Sequence, residues 1–384
     1  MKDFFYNEFD LRLGEVVDSV KMLLYKRHED IFERIDFYND NIFLEPLLYT
    51  YLTQKDNEWL DSIIVGYEKK PKRKINVFTN KLGIVYIPNI GYFTTKKNSK
   101  MLKLEILSQE EFIMYDGMEK IDFIFEPLCI LENEIELIKT QHPLIEKFFI
   151  KKDNKKEAVK IESIFEKHIN HFNKAYNIIK EYYRSYFDLL HKNVKKVMIY
   201  EGESNSFASI QVHNMIFLNT KNHDDEVFFL DHILHEGAHV IFNTLTYKTK
   251  HNLFTVPFNS LLKDFIGNAE EHGEVYGRFH GLFTQSNINS CMKICLEKKV
   301  FSGKQEHELI GRFSSNLKRF KNAIYTFNNS NLYTEEGSKW YEFFEKKQKT
   351  LYNSNRELID KYNVSNQPYV FSYKIFSETN PLNS

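Results

Sequence analysis

His235, Glu236 and His239 stand in an H-E-x-x-H sequence within Glu226 to Tyr247, EVFFLDHILHEGAHVIFNTLTY. On a helix, the two imidazoles lie one turn apart on one face, where they can bind a single metal ion with the glutamate beside it. The pattern predicts that helix. Val227, Leu230, Leu234, Ala238, Ile241 and Leu245 recur at steps of three and four and make one apolar stripe. A second row beside it carries Phe228, His232, His235, His239 and Phe242. Gly237 costs a helix roughly 1 kcal/mol against alanine, and its missing side chain lets a substrate or a second helix come close. Asn222 to Asp225 supplies N-cap candidates and negative charge at the positive helix end. The competing structural reading is two histidines at a core edge that only hydrogen-bond.

The elements that must hold this helix follow from the patterning. Leu11 to Tyr38 and Phe43 to Tyr67 read as helices, and Ile75–Phe78, Gly83–Ile87 and Met101–Leu107 as strands between Asn, Gly and Lys turns. Ile130 to Ile150 reads as a helix interrupted near Pro143. Residues 1–150 form an expected α+β N-terminal region, and the charged Lys151–Lys156 a linker to a catalytic domain over 151–384. Val159 to Leu190 keeps a helical period, and Lys196–Tyr200, Ala208–Val212 and Met215–Asn219 have strand character. Long helix, short strands and then a metal helix is the order of a zincin-like metal-binding fold, so the expected class is α+β. After the helix, Thr246 to Asn259 reads as a loop, and residues 288 to 352 as mostly helical.

Composition narrows the function classes. The 384 residues are 42% hydrophobic, enough for a large core, and the net charge of -1 argues against a nucleic-acid protein driven by overall charge. The basic run Lys69–Lys74 reads as a solvated connection before a strand. Three cysteines, Cys129, Cys291 and Cys295, make no disulfide framework. The N-terminal stretch lacks a signal-peptide core, and no run is apolar and long enough to span a membrane, so the expectation is a cytoplasmic protein.

Open catalytic sites typically have three protein ligands. A metzincin would need glycine at position 242 and histidine at 245, where Phe242 and Leu245 stand. Glu270, Glu271 and Glu274 are candidates for a gluzincin-type third ligand on a following helix, and His280 in Gly277-Arg278-Phe279-His280-Gly281-Leu282-Phe283 is the other.

HEGAH followed some forty residues later by GRFHGLF resembles the HExxH-type proteins encoded beside ribosomally made, post-translationally modified peptides. The resemblance runs from about Ile199 to Phe283, under a third of the chain, and the stretch between the motifs is poorer in Trp, Asp and Pro than is usual there. It implies a zincin-like oxidoreductase of the 2-oxoglutarate-dependent dioxygenase kind, using Fe(II) for β-hydroxylation of a precursor peptide. Carried over, His235, His239 and His280 ligate the iron, and Glu236 orients a ligand or the substrate. Three nitrogens with open positions leave room for 2-oxoglutarate and O2, and zinc can use three histidines as well. A cosubstrate with two carboxylates calls for a bidentate arginine, for which Arg278 and Arg312 are candidates.

Two further classes stay open. In a zinc metallopeptidase, one of the three glutamates completes the site and Glu236 is the general base, with His272, Tyr276 or His280 near the oxyanion. A decayed zincin would only bind a peptide. Asp231, one turn before His235, could accept its second N–H, and His232 could touch substrate. The N-terminal region is expected to recognise the precursor peptide through strands around Ile84–Ile87.

Overall fold

The computed structural model describes residues 4–54, 58–69, 72–108, 110–131, 135–150, 155–221, 223, 225–267 and 270–382. Most of the expected linker, Lys70 and Pro71 of the basic run, two N-cap candidates (Asn222 and Asp224), and Asn268 and Ala269 lie outside them. The chain is α+β, with helix outweighing strand. It divides into two compact units: Met1–Arg12, His171–Leu190 and His223–Ser384 make one, and Leu13–Asn170 with His191–Asn222 make the other. A cut at residue 150 therefore misassigns three pieces, the first of them residues 155–170, which belong with the strand-bearing unit. Lys196–Tyr200 hydrogen-bonds in register with Glu136–Ile138, and the other strands of 191–222 join the same sheet through it. The first twelve residues belong with the histidine helix.

The strand-bearing unit holds a five-stranded sheet in the order Phe207–Ala208, Met215–Asn219, Lys196–Tyr200, Glu136–Ile138, Cys129–Ile130. Its three central strands are parallel and both edges antiparallel. Lys196–Tyr200 is buried along its whole length, as a central strand covered on both faces must be. Separate four- and three-stranded antiparallel sheets complete this unit. Helices Pro46–Leu52 and Leu60–Ile64 pack Leu47, Tyr51 and Ile63 into one cluster with Phe149, Met198 and Phe217.

Two expectations fail here for local reasons. Ile130–Ile150 contains no α-helix among its described residues. Glu136–Ile138 is instead a buried parallel strand, and the His142 side chain caps a 3-10 helix, Pro143–Phe149, by accepting from Leu144 N. Ala208–Val212 is a strand only at its first residue, because the Ser209 hydroxyl accepts from Gln211 N and opens a 3-10 turn.

Beneath the sheet Lys196 is buried between two carboxylates. Its Nζ donates to Glu136 Oε2 at 2.7 Å and pairs with Glu45 Oε2 at 3.0 Å, and Tyr67 Oη donates to the same Glu45 oxygen at 2.7 Å. Tyr86 Oη also meets Nζ. Burial works against the ammonium, but the two carboxylates outweigh it and hold its proton affinity above the usual lysine range.

The second unit is helical. Glu226–Leu245 (the histidine helix), Val275–Glu297, Gly303–Thr326 and Glu335–Ser354 pack around Phe242, Phe279, Phe283, Trp340 and Phe344. Phe5, from a 3-10 turn over Phe4–Asn7, stacks on Trp340 at 5.4 Å.

Lys196→Met strips the cation from two buried carboxylates and should cost about 3–5 kcal/mol in urea unfolding, a loss that adding Glu136→Gln should partly reverse.

Candidate functional site

The histidine helix is the predicted one. Asp225 is its N-cap, accepting from Phe228 N at 3.1 Å, and Thr246 ends it. The helix is buried nearly all round, with only His232, His235, His239 and Asn243 half-buried along its length. These four continue one row at steps of three and four. Gly237 has the second function expected of it, a close helix approach. A Cβ there would meet Leu190 Cδ1 at 2.4 Å and Tyr186 Oη at 2.9 Å, and Tyr186 Oη donates to Leu234 O at 2.8 Å.

His280 comes from the facing helix, Val275–Glu297. Its Nε2 lies 3.2 Å from His239 Nδ1. The ring centres of His239 and His280 are 4.4 Å apart, and those of His235 and His239 are 5.1 Å apart. Two imidazoles on one metal with bonds of about 2.0–2.1 Å put their nitrogens roughly 3.0–3.4 Å apart and their ring centres about 4.5–5.2 Å apart. The spacing of each of the two pairs that include His239 is therefore close to that of two ligands on one cation. Among the described residues no group of three His, Cys, Asp or Glu side chains is already set to hold a metal ion. The 3.2 Å contact also suits one imidazole donating to the other.

Burial governs the protonation of these groups. It pushes His280 down to about 3 and His239 well below the usual histidine range, with the neighbouring rings adding to the effect on His239. His235 is lowered by burial first, with Asp231 opposing and Arg319 adding. All three rings are neutral at pH 7, the form that binds metals. Glu236 is 4% exposed, and no described donor reaches its carboxyl group; burial, reinforced by Asp231, pushes it up to about 8.

Among the other candidates, the glutamates stand apart from the three rings. Glu274 is an exposed N-cap residue, Glu270 is exposed, and Glu271 Oε1 accepts from Gly273 N at 2.8 Å and Arg278 Nε at 2.7 Å. Arg278 is half-exposed in that ion pair, and residues two apart on a helix point to opposite sides, so it faces away from His280. His272 is exposed.

Arg312 is buried and fully engaged. Its Nη1 donates to Asp231 Oδ2 at 2.9 Å and its Nη2 to Glu308 Oε1 at 2.7 Å, between the rings of Phe228 and Phe371. It braces Gly303–Thr326 against the histidine helix and is not free to hold a cosubstrate. Asp231 is thus an ion-pair partner of Arg312. His232 Nδ1 meets Phe228 O of its own helix at 3.1 Å.

Two residues join the site that sequence reasoning passed over, Asn243 and Arg319, beside Tyr276, which it weighed only for an oxyanion. Asn243, one turn after His239, accepts from Tyr276 Oη at 3.2 Å; Tyr276, one turn before His280, also bonds Thr246 Oγ1 at 2.6 Å. Their spacing from the two histidines was a usable signal. Arg319 carried no such signal, since its place alongside the histidine helix depends on how separate helices pack. In the strand-bearing unit, Val85, Tyr86 and Ile87 are buried, whereas Ile124–Pro127 is the exposed edge of the same sheet. No helix of the described residues is long and apolar enough to cross a membrane. Compared with known protein families and with curated proteins, the chain matches none.

Gly237→Ala should lower stability by about 1–3 kcal/mol through the clash with Leu190, while Gly281→Ala, whose added methyl meets nothing within 4 Å, should gain up to about 1 kcal/mol in thermal unfolding. Because Glu236 is raised from 4.5 to about 8, the fold keeps its proton while the unfolded chain gives it up. Its stabilising contribution is complete below pH 4.5 and is lost as pH rises to about 8. Melting temperatures across that window should show metal-free Glu236→Gln gaining on the wild type as pH rises; a constant gap would contradict the assignment.

Proposed function

We propose that the protein is a metal-dependent enzyme in which His235, His239 and His280 hold one metal ion, and that it acts as a non-haem Fe(II)/2-oxoglutarate-dependent hydroxylase of a side-chain carbon in a ribosomally made precursor peptide. The observation that carries the reading is the 3.2 Å separation of His239 Nδ1 and His280 Nε2, the spacing of two neighbouring nitrogens on one metal. His280 is the third ligand on this reading, because the glutamates that compete for the role are exposed or paired with Arg278. A zincin-like character is supported by the chain order of long helix, sheet with an antiparallel edge strand Phe207–Ala208, and histidine helix. The three cysteines are free, which suits a cytoplasmic location.

Bound iron would supply the activation of dioxygen, with 2-oxoglutarate as the co-reductant that leaves as succinate and CO2. The chain's own groups orient and protect that chemistry. Neutral imidazoles present lone pairs to the metal without first losing protons. Asp231, held by Arg312, supports His235 electrostatically from the preceding turn. The wall of Phe242, Phe279, Phe283 and Trp340 keeps water from the His280 side. The Asn243 and Tyr276 pair supplies polar groups one turn beyond the ligands, where a peptide amide can be held.

One observation favours a second reading. Glu236 lies beside two histidines, buried, and with no hydrogen-bond donor upon it among the described residues, as a general base awaiting a water proton would. With zinc on the same residues, the protein would be a metallopeptidase.

The experiment is incubation of anaerobically reconstituted protein with Fe(II), 2-oxoglutarate, O2 and a peptide encoded beside it. Succinate formation that requires both metal and peptide, with a gain of one oxygen in the peptide mass, is the expected result. Peptide cleavage with zinc and no succinate would replace this reading with the second. His280→Ala should abolish metal retention, and Glu274→Ala should leave it unchanged.

A further inference from the structure

The helical unit contains six arginines: Arg12, Arg184, Arg278, Arg312, Arg319 and Arg356. Five of them pair with carboxylates: Glu8, Asp188, Glu271, Asp231 with Glu308, and Asp360. Arg319 is the exception. Its Nη1 donates to the carbonyl of Tyr369 at 2.7 Å and its Nη2 to the carbonyl of Pro368 at 2.6 Å, and among the described residues no carboxylate meets it. Both ends of the guanidinium fork thus hold neutral oxygens of two consecutive peptide units, an arrangement that imitates the two oxygens of a carboxylate.

Two further observations mark this arginine. It lies on Gly303–Thr326 seven residues, two turns, beyond Arg312, and so on the face that carries the bond to Asp231 of the histidine helix. Gln305 of this helix meets Glu226 and Arg312 meets Asp231, so the two helices run side by side in the same sense and the turn of Arg319 continues along the turns that follow Asp231. The stretch that supplies its carbonyls is irregular, and Tyr369 is 75% exposed. A neutral carbonyl is a weaker partner for guanidinium than a carboxylate, and an exposed, irregular segment moves at little cost.

We propose that Arg319 is the carboxylate-binding residue of the histidine centre, exchanging the carbonyls of Pro368 and Tyr369 for the two oxygens of a ligand carboxylate and releasing those two exposed residues. The proposal rests on the histidines being the reacting centre, and it moves the anion-binding role from Arg278 and Arg312 to a residue whose charge is not spent on an acid. The carboxylate can belong to a free dicarboxylate or to an acidic side chain of a peptide.

Calorimetric titration separates these sources. Succinate, its uncharged diamide, a capped peptide with one central aspartate, and its asparagine counterpart are titrated into wild type, Arg319→Gln and Arg319→Lys, with and without Fe(II). The expected result is that succinate or the aspartyl peptide binds the wild type, that its neutral counterpart does not compete, and that Arg319→Gln weakens binding about ten- to a hundredfold. Arg319→Lys, which keeps the charge and loses the fork, should fall between. Chymotryptic cleavage after Tyr369 should quicken when the carboxylate binds, and should already be fast in Arg319→Gln whose helix content and melting match the wild type. Equal affinity in Arg319→Gln, or no binding of either carboxylate to the wild type, overturns the proposal. Arg319-dependent binding in a protein that retains no metal would instead sink the metal reading and leave this one standing.

Discussion

A helix buried on nearly every side cannot carry charged groups without either partnering or neutralising them. Glu226–Leu245 places Asp231, His232, His235, Glu236 and His239 on such a helix. The chain resolves each in a different way. Asp231 keeps its charge because Arg312 meets it. The histidines shed their protons, and Glu236 keeps one. Much of the surrounding packing serves that solution: Gly237 admits Tyr186 and Leu190, and Gly303–Thr326 brings Arg312 to the helix. Desolvation of unpaired ionised groups costs several kcal/mol each, so these neutral forms are conditions of folding as much as preparations for chemistry.

The same burial links the fold to the proposed activity. Neutral imidazoles are both the cheapest form to bury and the form that binds a metal. His239 and His280 meet across two helices because Phe242 fills the space beside them, with its ring 4.8 Å from that of His280 and 5.3 Å from that of Trp340. An aromatic wall of this kind excludes water and lowers the local dielectric, which strengthens every interaction with a cation placed there.

Much of this was legible in the chain. The histidine helix, its apolar stripe and the role of Gly237 followed from a period of three and four, because tertiary packing there reinforces the local pattern. His280 was legible only as one of four choices. Preferring it to the glutamates, as the proposal does, draws on their exposure and on the pairing of Arg278 with Glu271, which only the packing reveals. The division at residue 150 was misread because strand pairing between Glu136–Ile138 and Lys196–Tyr200 joins segments about sixty residues apart, and period alone carries no partner. The Ile130–Ile150 region failed for a related reason, since a short, fully buried parallel strand and a helix segment share the same apolar run. Arg319 was invisible because its significance lies in what its neighbours do not offer it.

The account stands or falls on a cation shared by three imidazoles. X-ray absorption fine structure of the anaerobically Fe(II)-loaded protein tests this directly. The account predicts one metal per chain with three imidazole nitrogens at about 2.1 Å, falling to two in His280→Ala. A spectrum unchanged by that substitution, or protein that retains no stoichiometric metal, would contradict it.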